Sequence, residues 1–230
     1  LNFSASAFWT DGYTEDALTP CGGGLRKCKC GEFYILWETI STGIDAQPNT
    51  PRTAWVAAAD LAEATQSQNK VVELAARREY WMHLNAPYRE LYRAHRHAEE
   101  EAAKEKWEAD WHAAHPDRRT QGQRLIDGLL RKKPASPPSA PAAAMTVPPY
   151  QPSTLQTENM ERLLALILDR VHEPYGPDMR EVAELYRELG RFDEAKAALQ
   201  ECPADDIGKP EKLMERLIDE CQTAPIRYRL

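Results

Sequence analysis

Between Pro134 and Thr157 the chain reads PASPPSAPAAAMTVPPYQPSTLQT, with seven prolines and no charged residue. Each proline removes a backbone donor and fixes φ, so neither a long helix nor an interior strand runs through such a stretch. The composition predicts an extended, polyproline-like spacer between two folded parts. Docking to a proline-reading partner, and packing back on the same chain as a strap, are the other two readings. The spacer divides the 230-residue chain into a Cys-containing β knuckle over 1–50, a long-helix region over 51–133, the linker over 134–157 and helical hairpins over 158–230. The fold class expected is mainly α, a helical bundle or set of helical hairpins with a small N-terminal β knuckle.

Residues 1–45 hold six of the eleven glycines and the run Phe33, Tyr34, Ile35, Leu36, Trp37. Aromatic and β-branched residues entered by turn residues predict short strands, two or three of them, with a tight turn between Cys21 and Gly31. Beyond Pro51 the pattern turns helical. A first helix is expected from about Arg52 to Gln66, and Asn69 is placed to cap a second that carries Val71, Leu74, Trp81 and Leu84. Asn85 and Pro87 mark the start of a long helix to about Ala114. Its middle, HAEEEAAKEK, is polar all round and reads as a solvated helix held by ion pairs one turn apart. A short amphipathic helix around Leu125, Ile126, Leu129 and Leu130 is expected to precede the linker.

From Glu158 on, four apolar stripes recur at helical spacing: Met160 to Val171, Val182 to Leu189, Phe192 to Leu199 and Leu213 to Cys221. Four short helices with short links make two stacked hairpins. This part carries 17 acidic and 11 basic residues and so holds most of the net charge of −7. The charge argues against a nucleic-acid binder that works by bulk attraction, and it favours a basic or apolar partner. No run approaches the ~18 apolar residues of a membrane span. The opening LNFSASAFWTDGY has neither the basic region nor the apolar stretch of a secretory leader. With five cysteines at irregular spacing, a reducing, cytoplasmic location is expected.

Three resemblances follow from particular motifs. Residues 183–199 place Ala183 and Tyr186 in one helix, Gly190 at its end, and Phe192, Ala195 and Leu199 in the next. This segment resembles a tetratricopeptide repeat, and the resemblance implies protein or peptide binding. Residues 20–37, PCGGGLRKCKCGEFYILW, look like one knuckle of a zinc ribbon, although only one residue separates Cys28 from Cys30. The resemblance implies a structural zinc on Cys21, Cys28 and Cys30, with a fourth ligand from elsewhere. A degenerate knuckle with free thiols is the alternative. The whole layout, from Trp9-Thr-Asp11-Gly12-Tyr13 through the cysteines to the segment around Arg77, Arg78 and Trp81, is similar to a group of uncharacterised bacterial proteins. That similarity implies no particular chemistry.

No phosphate-binding loop, dinucleotide fingerprint, His-Glu-x-x-His pair or nucleophile elbow occurs. His112 and His115 stand beside Trp111 as surface residues. The most suggestive group is Arg77, Arg78, Trp81, Tyr88 and Arg89, since arginines interleaved with aromatics are typical interface anchors. Internal pairing with Glu73, Glu79 or Glu90 is the competing account. These readings together predict a non-catalytic protein-binding protein. Its most concrete form is a bacterial cytoplasmic immunity-type inhibitor that binds a toxin or effector. An adaptor or chaperone of secretion components, and a zinc-stapled regulatory or nucleic-acid-associated protein, are the alternatives.

Overall fold

The computed structural model describes residues 7–15, 24–36, 54–116, 119–123, 137–141, 146–170, 178–202 and 209–228. The protein is mainly α with a small β part. It forms two compact units, one built from residues 1–87 and 149–230 and the other from 88–148.

In the first unit, β1 (Ala7–Trp9) is the central strand of an antiparallel sheet. On one side it pairs with β2 (Thr14–Glu15), and on the other with β6 (Arg227–Tyr228) from the far end of the chain. Ala7 and Trp9 are buried and Phe8 is not, the alternation of a half-covered sheet. A second sheet has the order β4-β3-β5, from β3 (Leu25–Lys27), β4 (Phe33–Ile35) and β5 (Ala54–Trp55). Leu25 and Ile35 are paired across β3 and β4 and face one core.

The structure departs from the expected helix over Arg52–Gln66. Ala54 and Trp55 form a strand against Lys27 and Arg26, and α1 starts only at Ala58 and ends at Ala64. Trp and Val favour extended backbone, and the free edge of β3 offers them ladder partners that a helix would forgo. Asn69 caps α2 (Lys70–Leu84) as expected, its Oδ1 accepting from the amide of Val71 at 2.9 Å.

Helix α2 is buried on two sides, which explains its apolar but irregular stripe. Val72, Ala75 and Ala76 pack with Leu61, Ala64, Leu25 and Ile35. Leu74 and Trp81 join the larger core of α4 (Thr154–Leu168), α5 (Met179–Glu188), α6 (Phe192–Gln200) and α7 (Lys209–Asp219). Glu73 fastens α2 to α4: both its oxygens accept from Arg162 at 2.9 Å, and one also accepts from Arg77 at 2.9 Å.

The four C-terminal helices are those the periodicity predicts. Helix α5 ends on Gly190 at φ +75°, with the amide of Gly190 bonded to the carbonyl of Arg187 and that of Arg191 to the carbonyl of Tyr186. That is a Schellman turn, and glycine takes its left-handed residue without a Cβ clash. The fully buried Ala183 and Ala195 permit the close approach of α5 and α6.

The second unit holds α3 (Ala86–Ala114) from Tyr88 on; the helix exposes most of its surface, and its buried residues are Tyr88, Arg89 and Tyr92. Arg93–Glu90 and Arg96–Glu100 pair along it, as the polar pattern predicts. The described parts of the proline-rich stretch here are a strap rather than a free spacer. Tyr88 Oη donates to the carbonyl of Pro148 at 3.0 Å, Trp107 Nε1 to that of Pro138 at 3.2 Å, and Thr146 Oγ1 to Glu99 at 2.6 Å. The stretch also ends early, because Ser153 and Gln156 form a capping box that starts α4 at Thr154. The expected helix around Leu125 to Leu130 lies outside the described residues.

Candidate functional site

Helix α5 reads as amphipathic, yet three of its charged residues are as buried as its apolar ones. Glu184, Arg187 and Glu188 are each exposed by 1% or less. The covering elements are β1 with its following turn and the segment that returns after α7. Arg187 Nε and Nη2 donate to the two oxygens of Glu184 at 2.7 and 2.5 Å. Its remaining donors reach the carbonyls of Gln222 and Ala224 and the hydroxyl of Thr10. One guanidinium therefore joins α5 to both ends of the chain. Burial works against its charge, but Glu184 and Glu188 outweigh it and hold the Arg187 pKa above its ordinary value.

Beside this pair, the buried Asn85 uses its full hydrogen-bonding capacity. Its Nδ2 donates to Asp11 Oδ2 and Glu188 Oε2, each at 3.2 Å, and its Oδ1 accepts from Tyr150 Oη and Gln156 Nε2, each at 3.0 Å. Trp81 Nε1 gives a further bond to Glu188 Oε2 at 3.0 Å. Among the described residues, the second oxygen of Glu188 has no hydrogen-bond partner. Arg187 pairs directly with Glu184, and Glu188 lies close enough to add to the pull on the guanidinium. Burial first, then repulsion from Glu184 and Asp11, pushes the Glu188 carboxyl well above the usual range. Tyr150 is driven upward for the same reasons, burial and then Glu188 and Asp11.

A recess of about 350 Å³ opens next to this centre. Trp9, Trp81, Met214 and Tyr228 supply its apolar and aromatic lining. Asp178, Arg180, Glu181 and Glu211 supply its charge. Glu211 is only 4% exposed, and Arg180, half exposed, bonds its Oε1 at 3.1 Å. Arg180 also lies 3.6 Å from Asp178. Glu181 is held by Arg78 through two bonds of 2.6 Å. The Tyr228 phenol is raised by burial and then by Glu184 and Glu211, so the field of the carboxylates reaches the wall of the recess. A separate cleft of about 450 Å³ lies along α6 and α7 and is bridged by Lys196 and Asp219 at 2.9 Å.

The residues singled out as a partner-binding patch are placed as follows. Arg77 is bonded to Glu73, to Asn159 and to the carbonyl of Thr65. Arg78 pairs with Glu181, and Trp81 is 4% exposed. Tyr88 and Arg89, in the other unit, are buried as well. Arg77 has the internal Glu73 partner of the competing account, whereas Arg78 pairs with Glu181 and keeps 39% of its side chain exposed. Only Trp81 of the five lines the recess.

Cys28 and Cys30 sit exposed in the turn between β3 and β4, closed by the amide of Gly31 on the carbonyl of Cys28 at 2.9 Å. Cys21 lies outside the described residues. Among the described residues no group of three or more His, Cys, Asp or Glu is arranged to hold a metal ion. His112 and His115 are exposed, and the His115 ring stacks on Trp111 at 4.6 Å. No helix among the described residues is long and apolar enough to cross a membrane.

Sequence reasoning missed the buried charge centre and the recess. Glu184, Arg187 and Glu188 occupy the polar positions of α5, and nothing in their spacing signals that a distant C-terminal segment covers them. Compared with protein-family models, curated proteins and solved structures, the chain matches none.

Proposed function

We propose that this chain is a non-catalytic protein-binding protein, most concretely an immunity-type inhibitor of a bacterial toxin or effector in the cytoplasm. The observation that carries the reading is the division of its charged groups. At the buried centre the charged groups are engaged within the fold, Arg187 with Glu184, and Asp11 and Glu188 with Asn85, as structural groups are. The recess lined by Trp9, Trp81, Met214 and Tyr228 instead combines a hydrophobic lining with charged groups, the composition of a pocket for an anchor residue. The net charge of −7 fits a basic partner.

Native mass spectrometry of the protein purified from its own host tests this. The expected result is a stoichiometric complex whose partner arrests growth when produced alone and is silent when this chain is co-produced. A partner that remains toxic in the complex, or a chain that travels alone, overturns the inhibitor reading.

A further inference from the structure

We infer that the recess beside Trp9, Trp81 and Tyr228 binds an organic cation: the ammonium or guanidinium head of a basic side chain on a protein partner. The identity of that carrier rests on the protein-binding reading, whereas the cation chemistry does not.

Three features of the site converge. Its volume of about 350 Å³ falls in the range of ligand pockets and accommodates a side-chain head with its alkyl stem. Its lining is aromatic and soft, from Trp9, Trp81, Tyr228 and Met214, residue types that suit the alkyl stem and weakly hydrated head of an organic cation. Its charge is negative. Asp178, Glu181 and Glu211 line it against Arg180, with Arg78 bound to Glu181. Behind them the buried Glu184 and Glu188 both act on Arg187. An anion entering here meets an excess of carboxylates, while a cation relieves it.

The fourth observation identifies the chemistry more closely. The protein's own Arg180 places a guanidinium on the buried Glu211 at 3.1 Å. Arg180 is half exposed and also lies near Asp178, so it has a second carboxylate at the rim to move to. Arg180 therefore acts as a resident competitor: an incoming cation takes Glu211, and Arg180 swings to Asp178.

The test is calorimetric titration of the full chain with butylammonium, butylguanidinium and tetramethylammonium, with butyrate and butanol as controls. Binding of the cations and not of butyrate or butanol is expected. Glu211→Gln should weaken it by about tenfold or more, and Arg180→Ala should tighten it. Opposite effects at two residues of one ion pair separate a binding role from a structural one. Asp178 caps α5 by accepting from the amide of Arg180, and Asn caps as well, so Asp178→Asn weakens cation binding without loss of the helix. Thermal melts identify any variant that has not folded, and Asp178→Asn then carries the result. Butyrate binding as well as the cations, cation binding unchanged in Glu211→Gln, or weaker binding in Arg180→Ala would each overturn the inference. A chain that binds butylguanidinium and also lysine- or arginine-containing peptides, but yields no protein complex from its host, keeps the cation site and refutes the inhibitor reading. Free cations that bind while such peptides do not overturn the side-chain assignment.

Discussion

Arg187 holds both oxygens of Glu184, three residues earlier on the same helix, at 2.5 and 2.7 Å, with neither side chain more than 1% exposed. A pair one turn apart on a solvated helix contributes a few tenths of a kcal/mol. Buried, the same pair is a condition of folding, because either charge left alone has no water to replace its partner.

Arg187→Met therefore should cost about 3–5 kcal/mol of stability in urea denaturation. It leaves Glu184 unpaired and takes donors from the carbonyls of Gln222 and Ala224. Adding Glu184→Gln to it should recover part of that loss. A double variant no better than Arg187→Met alone would show that the ion pair is not what the single variant breaks.

Glu188 sets one arm of the pH dependence. Its folded pKa is raised, so the folded state binds more protons above the unfolded value of about 4.3. Its contribution is whole below that value and is lost as pH rises through the folded one, at roughly 1.4 kcal/mol per pH unit between them. Glu188→Gln keeps an acceptor for Trp81 and Asn85 and removes the titration. The variant should match the wild-type urea midpoint near pH 4.5 and exceed it at pH 8. Parallel midpoint curves at all pH values would contradict a raised Glu188.

Glu73 sets the opposite arm. Its bonds to Arg162 outweigh burial, and with Arg77 they hold its carboxyl below the usual range. The stability it supplies is present above about pH 4.3 and is lost as pH falls through the folded value. Glu73→Gln should cost about 1–2 kcal/mol at pH 7, an amount limited by the half-exposed Arg162, and much less in strong acid. An equal loss at both pH values would mean the variant acts through packing.

Two helices end on the same turn with different residues. Gly190 closes α5 at φ +75°, and Cys221 closes α7 at φ +51° with the same bonds, its amide to the carbonyl of Ile218 and that of Gln222 to Leu217. A left-handed conformation costs an L-residue roughly 1–2 kcal/mol. Cys221→Gly should raise stability by about 0.5–1 kcal/mol, and Gly190→Ala should lower it by about 1 kcal/mol. The nearest atom to an added Cβ at Gly190 is Thr223 Cγ2 at 4.0 Å, so the cost lies in the backbone and not in space. Calorimetric melting temperatures decide both.

The backbone amide of Cys30 first, then its side chain, draws the exposed Cys28 thiol below its ordinary pKa. In metal-free protein Cys28 should be alkylated by iodoacetamide faster than Cys202 or Cys221 at neutral pH. If Cys21, Cys28 and Cys30 hold zinc, protein prepared without chelators carries one zinc and resists alkylation until it is removed. Rapid alkylation in zinc-replete buffer would exclude that centre.

Where a structural feature has a local cause, the sequence alone determined it. Asn69 can cap α2 because a side-chain oxygen reaches an amide two residues on, and Gly190 can turn the chain because it lacks a Cβ. The stripes of α4 to α7 follow from one face meeting one core. Where the cause is a distant segment, only the tertiary structure decided the outcome. Ala54 and Trp55 extend because β3 offers an edge, and Tyr150 leaves the proline-rich stretch to bond Asn85. Glu184, Arg187 and Glu188 read as a solvated face until Thr10, Gln222 and Ala224 close over them. Burial reverses the meaning of a charged residue, and burial depends on which parts of the chain meet.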